Sequence, residues 1–157
     1  PVGALETAGG IAAALPLLGE QPFLAVNGDI WCDWDFSLAR QLTLVPDQRL
    51  AHLVLVDNPP HHPEGDFRLD AGRVRSAIAG ISGALTYAGI GVFCPAFFAE
   101  VPDGAAMKLR PLLDAGIAGG VITGERHTGR WVDVGTPQRL AELDMELARR
   151  YASPALL

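Results

Sequence analysis

Two aspartates stand where the chain could deliver a carboxylate into a cleft. Asp29 closes the run Pro22-Phe-Leu-Ala-Val-Asn-Gly-Asp29, in which four apolar residues lead without alternation into Asn27-Gly28-Asp29. An unbroken apolar run predicts a strand buried on both faces, with the acid at its tip. Gly28 would let the backbone turn sharply there and keep side-chain bulk away from a ligand. Ligands of open α/β sheets bind at the carboxyl ends of the strands, which makes Asp29 a candidate for chemistry. Asn, Gly and Asp are also ordinary turn residues, and the tripeptide alone does not separate the two readings. The second aspartate, Asp133, lies in Gly129-Arg-Trp-Val-Asp-Val-Gly-Thr-Pro137. This segment reads as a short strand reaching Gly135, then Thr136 as helix N-cap and Pro137 at the first helical position. An acid so close to a helix start is also favoured by the helix dipole alone.

The elements that must position these residues follow from the apolar pattern. Ile11 to Leu15 with Leu18 predicts a short helix, shortened or kinked by Pro16 and ended by Gly19. Beyond Asp29, Asp35 or Ser37 can cap a helix carrying Leu38, Leu42 and Val45 on one face and ending at Pro46-Asp47. Ala51-His-Leu-Val-Leu-Val-Asp57 is a second apolar strand ending on an acid, and a helix between two such strands implies a right-handed βαβ unit in a partly parallel sheet. Phe67 to Asp70 and Arg73 to Arg75 around Ala71-Gly72 predict a hairpin, a natural flap over a pocket. Leu85 to Cys94 is a third strand, Pro95 opens a short helix, and Leu109 to Ala115 is helical. The last helix places Leu140, Leu143, Leu147 and Tyr151 on one stripe, with Arg149 and Arg150 in its final turn. Residues 152–157 read as a loose tail.

Composition narrows the class. The chain has 157 residues, 49% hydrophobic, which is sized for one domain with a sizeable core. Its net charge of −6, and Lys108 as its only lysine, argue against nucleic acid as a partner. The most apolar stretch, residues 84–101, is interrupted by Gly89, Gly91 and Pro95 and fits a sheet core rather than a membrane span. Cys32 and Cys94 lack C-x-x-C spacing and read as small core residues of a cytoplasmic protein. His61 and His62, near Asp57, Glu64 and Asp66, have the types of metal ligands. Adjacent side chains project differently, however, and the Pro-rich segment reads as a solvated loop that closes over a substrate.

Glu6-Thr-Ala-Gly-Gly10, Asp29 at a strand tip and Trp131-x-Asp133-x-Gly135-Thr136-Pro137 occur together in this order. With Val26-Asn-Gly-Asp29, Leu53-Val-Leu-Val-Asp-Asn-Pro59 and Gly65-Asp-Phe67, they resemble the sugar-1-phosphate nucleotidyltransferases, in particular the uridylyltransferases of peptidoglycan recycling. The resemblance runs from Leu5 to about Arg149. It implies an α/β, Rossmann-like nucleotidyltransferase fold with a mixed, mainly parallel central sheet, and UTP and a sugar 1-phosphate, N-acetylmuramate 1-phosphate in this branch, as partners. It further implies that Asp29 and Asp133 are catalytic and hold Mg²⁺ on the nucleotide phosphates. Mg²⁺ favours one or two carboxylates together with phosphates and waters, so two acids from distant strand ends could complete a site that neither makes alone. On the same resemblance Glu6, Thr7, Ala8, Gly9 and Gly10, with Asn27 and Gly28, line the nucleotide. Tyr87, Gly89 and Asp66 lie on the sugar side, where Gly89 could equally be a close-packed glycine of a core strand. Lys108 could approach the sugar acid or phosphate, or simply be an exposed helix-start lysine.

The sequence also departs from the family. A Glu-Lys-Pro sugar-binding segment after the middle hairpin is absent, as are the G-G-x-G-x-R triphosphate loop and the Pro-Lys-Pro lysine, which would precede Pro1. The expectation is therefore a nucleotidyltransferase domain over residues 1–151 without its triphosphate-binding portion. Alone it should be inactive, and it should be found as an oligomer or with a companion N-terminal piece. A mannose-1-phosphate guanylyltransferase, or a noncatalytic nucleotide-sensing or interaction domain, are the alternative functions.

Overall fold

The computed structural model describes residues 3–45, 48–78, 80 and 82–152. Its main sheet is built on β3 (Ala51–Val56) and the ten-residue β6 (Ala84–Phe93). Around them lie β1 (Phe23–Val26), β4 (Phe67–Asp70), β5 (Arg73–Ser76) and β7 (Ile122–Arg126), in the order β1-β6-β3-β7-β5-β4. β3 and β7 are parallel, and every other ladder in this sheet is antiparallel. In direction, β1, β3, β7 and β4 run one way and β6 and β5 the other, so the sheet is mixed with most strands co-directional. A separate ribbon pairs β2 (Ile30–Cys32) with β8 (Trp131–Asp133).

All six residues of β3 are buried, which is what an unbroken apolar strand at the centre of a sheet requires. Successive side chains point to opposite faces and feed two cores. Leu53 and Leu55 join Phe93, Phe98, Leu113 and Ile122 on the face covered by α1 (Glu6–Leu18) and α2 (Leu109–Ala118). Val54 and Val56 join Trp34, Ala88 and Ile90 on the other face, where Ile30, Cys32 and Trp131 of the ribbon pack. The final helix, α3 (Pro137–Ala152), opens with the Arg139 amide donating to Thr136 Oγ1 at 3.2 Å, the cap expected from the sequence. No helix of the described residues is long and apolar enough to cross a membrane.

Several expectations are corrected. β1 is an edge strand of alternating exposure, not one buried on both faces, because only β6 pairs with it, and Leu24 and Val26 stay exposed. β1 and β3 are co-directional, but β6 lies between them, and they are linked through β2 and a short 3₁₀ helix, Phe36–Gln41, rather than an α-helix. Asp35 caps that turn through Ser37 N at 2.9 Å, whereas Val45 leaves the helical face and bridges Arg49. The β4–β5 hairpin turns at Ala71-Gly72, both in the left-handed region, but it is no flap. It is stitched into the main sheet and buries Phe67 and Val74. α1 begins at Glu6 and carries Pro16 inside its last turn, and α2 continues through Gly116 to Ala118. Pro46-Asp47, the side chain of Tyr151 and residues 153–157 lie outside the described residues.

Candidate active site

Asn27-Gly28-Asp29 is both things the sequence allowed, a turn and the place where β1 hands an acid to the next element. The chain bends at Gly28 and Asp29 and enters β2 at once. In the β2–β8 ribbon Ile30 pairs with Asp133, and the Val134 amide donates to the Asp29 carbonyl at 2.8 Å. This ladder carries the two aspartates to one place. A Cβ at Gly135 would stand 3.0 Å from Asp133 Oδ1 and 3.3 Å from Asp29 Oδ2, which bounds the separation of those oxygens at about 6 Å. Both residues line a cleft of about 280 Å³ together with Asn27, His61 and Tyr87.

A bulge in β6 docks the ribbon. Opposite Val54-Leu55 the register skips from Ile90 to Tyr87, so Ala88 and Gly89 leave the ladder. The Ala88 carbonyl, in a fully buried residue, accepts the Trp131 indole N–H at 2.9 Å. The Gly89 carbonyl accepts the Asn27 amide at 2.8 Å. Gly89 has φ +72°, and a Cβ there would meet the Asn27 side chain at 2.8 Å, so this position needs glycine both for its backbone and for space.

Each candidate acid is held by groups the sequence did not single out for that purpose. Asp133 Oδ1 accepts the Gly135 amide at 2.7 Å and Arg139 at 3.1 Å, while Oδ2 lies 3.2 Å from His61 Nε2. Asp66 Oδ2 accepts the Tyr87 amide at 2.9 Å, and its Oδ1 faces His62 at 3.2 Å and Arg110 at 3.7 Å. Residues 58–66 are thus pinned, with Asn58 donating to the Pro63 carbonyl at 2.9 Å and Thr86 donating to Asn58 at 3.0 Å. Spacing offered no signal for the contacts of His61 and Arg139 with Asp133. Their roles come from contacts across the fold. The Tyr87 hydroxyl pKa is pushed upward by burial, and the residue also packs against the α1/α2 core.

Glu6 and Thr7 line a second space of about 450 Å³ with Asp66, Lys108 and Arg110, and Asn27 and Tyr87 line both this space and the first. Glu6 has φ +58°, an uncommon conformation for a residue with a side chain. Ala8 and Gly9 are buried, and both amides donate to the Met107 carbonyl, at 2.9 and 3.2 Å. The absence of a side chain at Gly9 is filled by backbone, since a Cβ there would be 2.1 Å from the Ala105 carbonyl oxygen, whereas Gly10 faces open space.

Cys32 and Cys94 are free thiols. Cys32, Asp33 and His127 bring three possible ligand atoms within 4.8 Å of one another, away from the cleft. They are satisfied internally, with Asp33 Oδ1 2.8 Å from His127 Nε2 and accepting the Arg130 amide at 2.8 Å. Burial pushes the Cys32 pKa up. A raised pKa disfavours the thiolate a metal would need.

No family model matches the chain. Its fold over this span is that of a nucleotidyltransferase. The solved inositol-1-phosphate CTP transferase from T. maritima superposes with a TM-score of 0.67 at 15% identity, covering 93% of this chain and 62% of that one. Sequence relatives narrow the relationship. The N-acetylmuramate alpha-1-phosphate uridylyltransferase of Neisseria meningitidis serogroup B is 49% identical over 144 residues, 90% of this chain. The protein of the same name from Caulobacter vibrioides is 34% identical over 154 residues, 94% of this chain. The chain is similar to both uridylyltransferases over at least nine tenths of its own length, and it spans 62% and 63% of theirs.

Proposed function

We propose that the protein containing this chain transfers a uridylyl group from UTP to N-acetylmuramate 1-phosphate and releases pyrophosphate. The observation that carries the reading is the convergence of Asp29 and Asp133 beside Gly135 in one cleft. Two hard oxygen donors fit a divalent cation such as Mg²⁺, which would complete its shell with phosphate oxygens and water. When bound there, the ion would offset charge on the phosphoryl group in transfer. Asp133 suits this use because Gly135 N and Arg139 fix its orientation, while Oδ2, which His61 approaches, keeps a further lone pair and Asp29 keeps its own for the ligand. A phosphate oxygen of the sugar phosphate attacks the α-phosphorus of UTP in line, and the bond from that phosphorus to the bridging β-oxygen breaks as pyrophosphate leaves.

The remaining site residues are assigned on the same reading. Glu6, Thr7 and Gly10 border the nucleotide with Asn27 and Gly28, while Ala8, fully buried, and Gly9 act by letting α1 approach residues 105–107. Asp66, Gly89 and the backbone of Tyr87 face the sugar. The soluble, cytoplasmic setting of sugar-nucleotide synthesis goes with the same proposal. The test is pyrophosphate release by the full-length protein with Mg²⁺, the four nucleoside triphosphates in parallel, and N-acetylmuramate, mannose and glucose 1-phosphates. Turnover confined to UTP with the muramate is expected. Preference for GTP with mannose 1-phosphate, or nucleotide binding without turnover on any sugar, overturns it.

A further inference from the structure

The second space beside the cleft has a charge pattern that the assignments above leave unexplained. In a chain of net charge −6, the only lysine, Lys108, borders it, and Arg110 borders it one helical residue further on. Lys108 is placed by backbone, not by its own side chain. The Met107 amide donates to Leu5 O at 3.0 Å, and the Met107 carbonyl accepts from both Ala8 and Gly9. Three hydrogen bonds therefore fix the residue immediately before Lys108 against the start of α1.

The neighbouring charges are mostly committed. Arg110 donates from Nε to Asp114 at 2.9 Å, lies 4.7 Å above the Phe67 ring and approaches Asp66 at 3.7 Å. Asp66 is in turn taken up by His62 and the Tyr87 amide. Glu6 borders the same space and makes no ion pair with Lys108 among the described residues. The Lys108 ammonium thus stands as a cation without an acid partner among the described residues, and Asn27 and Tyr87 border both its space and the cleft of Asp29 and Asp133.

We infer that Lys108 is the residue that selects an acidic sugar: its ammonium pairs with the carboxylate of the sugar while the sugar's phosphate lies at the aspartates. The inference rests on the function proposed above, in which the sugar is a muramate, an acid. A compact ammonium with three donors on a flexible stem suits a carboxylate carried on a side arm of the ring. Such a charge-assisted contact at the border of a concave space favours a substrate that carries the carboxylate over one that lacks it. Glu6 and Asp66, as acceptors, are left to hydroxyl and N–H groups.

The experiment compares the full-length wild type with Lys108→Met and Lys108→Gln on N-acetylmuramate 1-phosphate and on N-acetylglucosamine 1-phosphate, the same sugar without the carboxyl-bearing arm. Each is read as kcat/KM, or as an inhibition constant where the second sugar is not turned over. Lys108 is exposed, so melting temperatures should stay unchanged and certify folding. Expected is a loss of tenfold or more on the muramate, chiefly in KM, with the glucosamine value within twofold, and partial recovery in Lys108→Arg. Equal losses on both sugars, or an unchanged ratio between them, overturn the inference while leaving the function intact. A wild type inactive with UTP on both sugars would instead refute the function itself, and the inference with it.

Discussion

Asp29 and Asp133 converge on Gly135, whose lack of a side chain leaves room beside both carboxylates. A methyl group there would sit 3.0 Å from Asp133 Oδ1, 3.3 Å from Asp29 Oδ2 and 3.4 Å from the Arg139 guanidinium, crowding both carboxylates and the arginine that orients Asp133. Gly135→Ala should therefore weaken turnover of the full-length protein by tenfold or more while its melting temperature stays within a few degrees. Wild-type kcat/KM in this variant would show that nothing needs that space.

The ribbon bearing both acids depends on Trp131. Its indole N–H is the partner of the Ala88 carbonyl, and Trp131→Phe leaves that buried acceptor unpaired. The cost expected is about 1–3 kcal/mol in urea unfolding. Because the same contact positions Asp133, KM for the nucleotide should rise as well. Unchanged stability would mean that the ribbon is held by apolar packing alone.

Much of this arrangement was legible in the sequence, and the failures have physical causes. The strand-to-helix junction from Trp131 to Pro137 and the fully buried β3 could be read directly, because cap chemistry and unbroken apolar runs are local signals. β1 could not, since four apolar residues look alike at the centre and at the edge of a sheet, and only pairing leaves Leu24 and Val26 exposed. The β4–β5 turn was visible, but its incorporation into the sheet depends on partners in β6 and β7 far along the chain. His61 stood out only beside Asp57, Glu64 and Asp66, and Arg139 not at all, because their partner, Asp133, is reached only through the tertiary fold.

Adjacent glycines make a paired test. Gly9→Ala puts a Cβ 2.1 Å from the Ala105 carbonyl oxygen, and overpacking of this kind costs about 1–3 kcal/mol. Gly10→Ala meets nothing within 4 Å and gains helix propensity of up to about 1 kcal/mol. Thermal melts should fall for the first and hold or rise for the second. Equal effects would remove the packing role assigned to Gly9.

His52 makes stability depend on pH. The Thr123 hydroxyl donates to the Ala51 carbonyl at 3.3 Å and so accepts from His52 Nδ1 at 2.9 Å. This leaves His52 Nε2 buried without a hydrogen-bond partner, 3.9 Å from Glu125. Burial pushes its pKa below the ordinary 6.5, against the opposing pull of Glu125 and with help from Arg49. The unfolded chain then takes up this proton first as pH falls. The native state loses stability from about pH 6.5 downward to the folded pKa, and the loss levels off below it. Denaturant midpoints between pH 8 and pH 5 should fall less steeply in His52→Leu than in the wild type. An equal or steeper fall would contradict the assignment.

The central claim is that Asp29 and Asp133 jointly hold one divalent cation on a nucleotide. Mn²⁺ accepts the same oxygen donors and reports binding by electron paramagnetic resonance, so the direct measurement is Mn²⁺ titration of the full-length protein with UTP, compared with Asp29→Asn and Asp133→Asn. Each substitution alone should weaken Mn²⁺ binding by tenfold or more while both variants melt as the wild type does. Wild-type affinity in either variant would contradict the shared site.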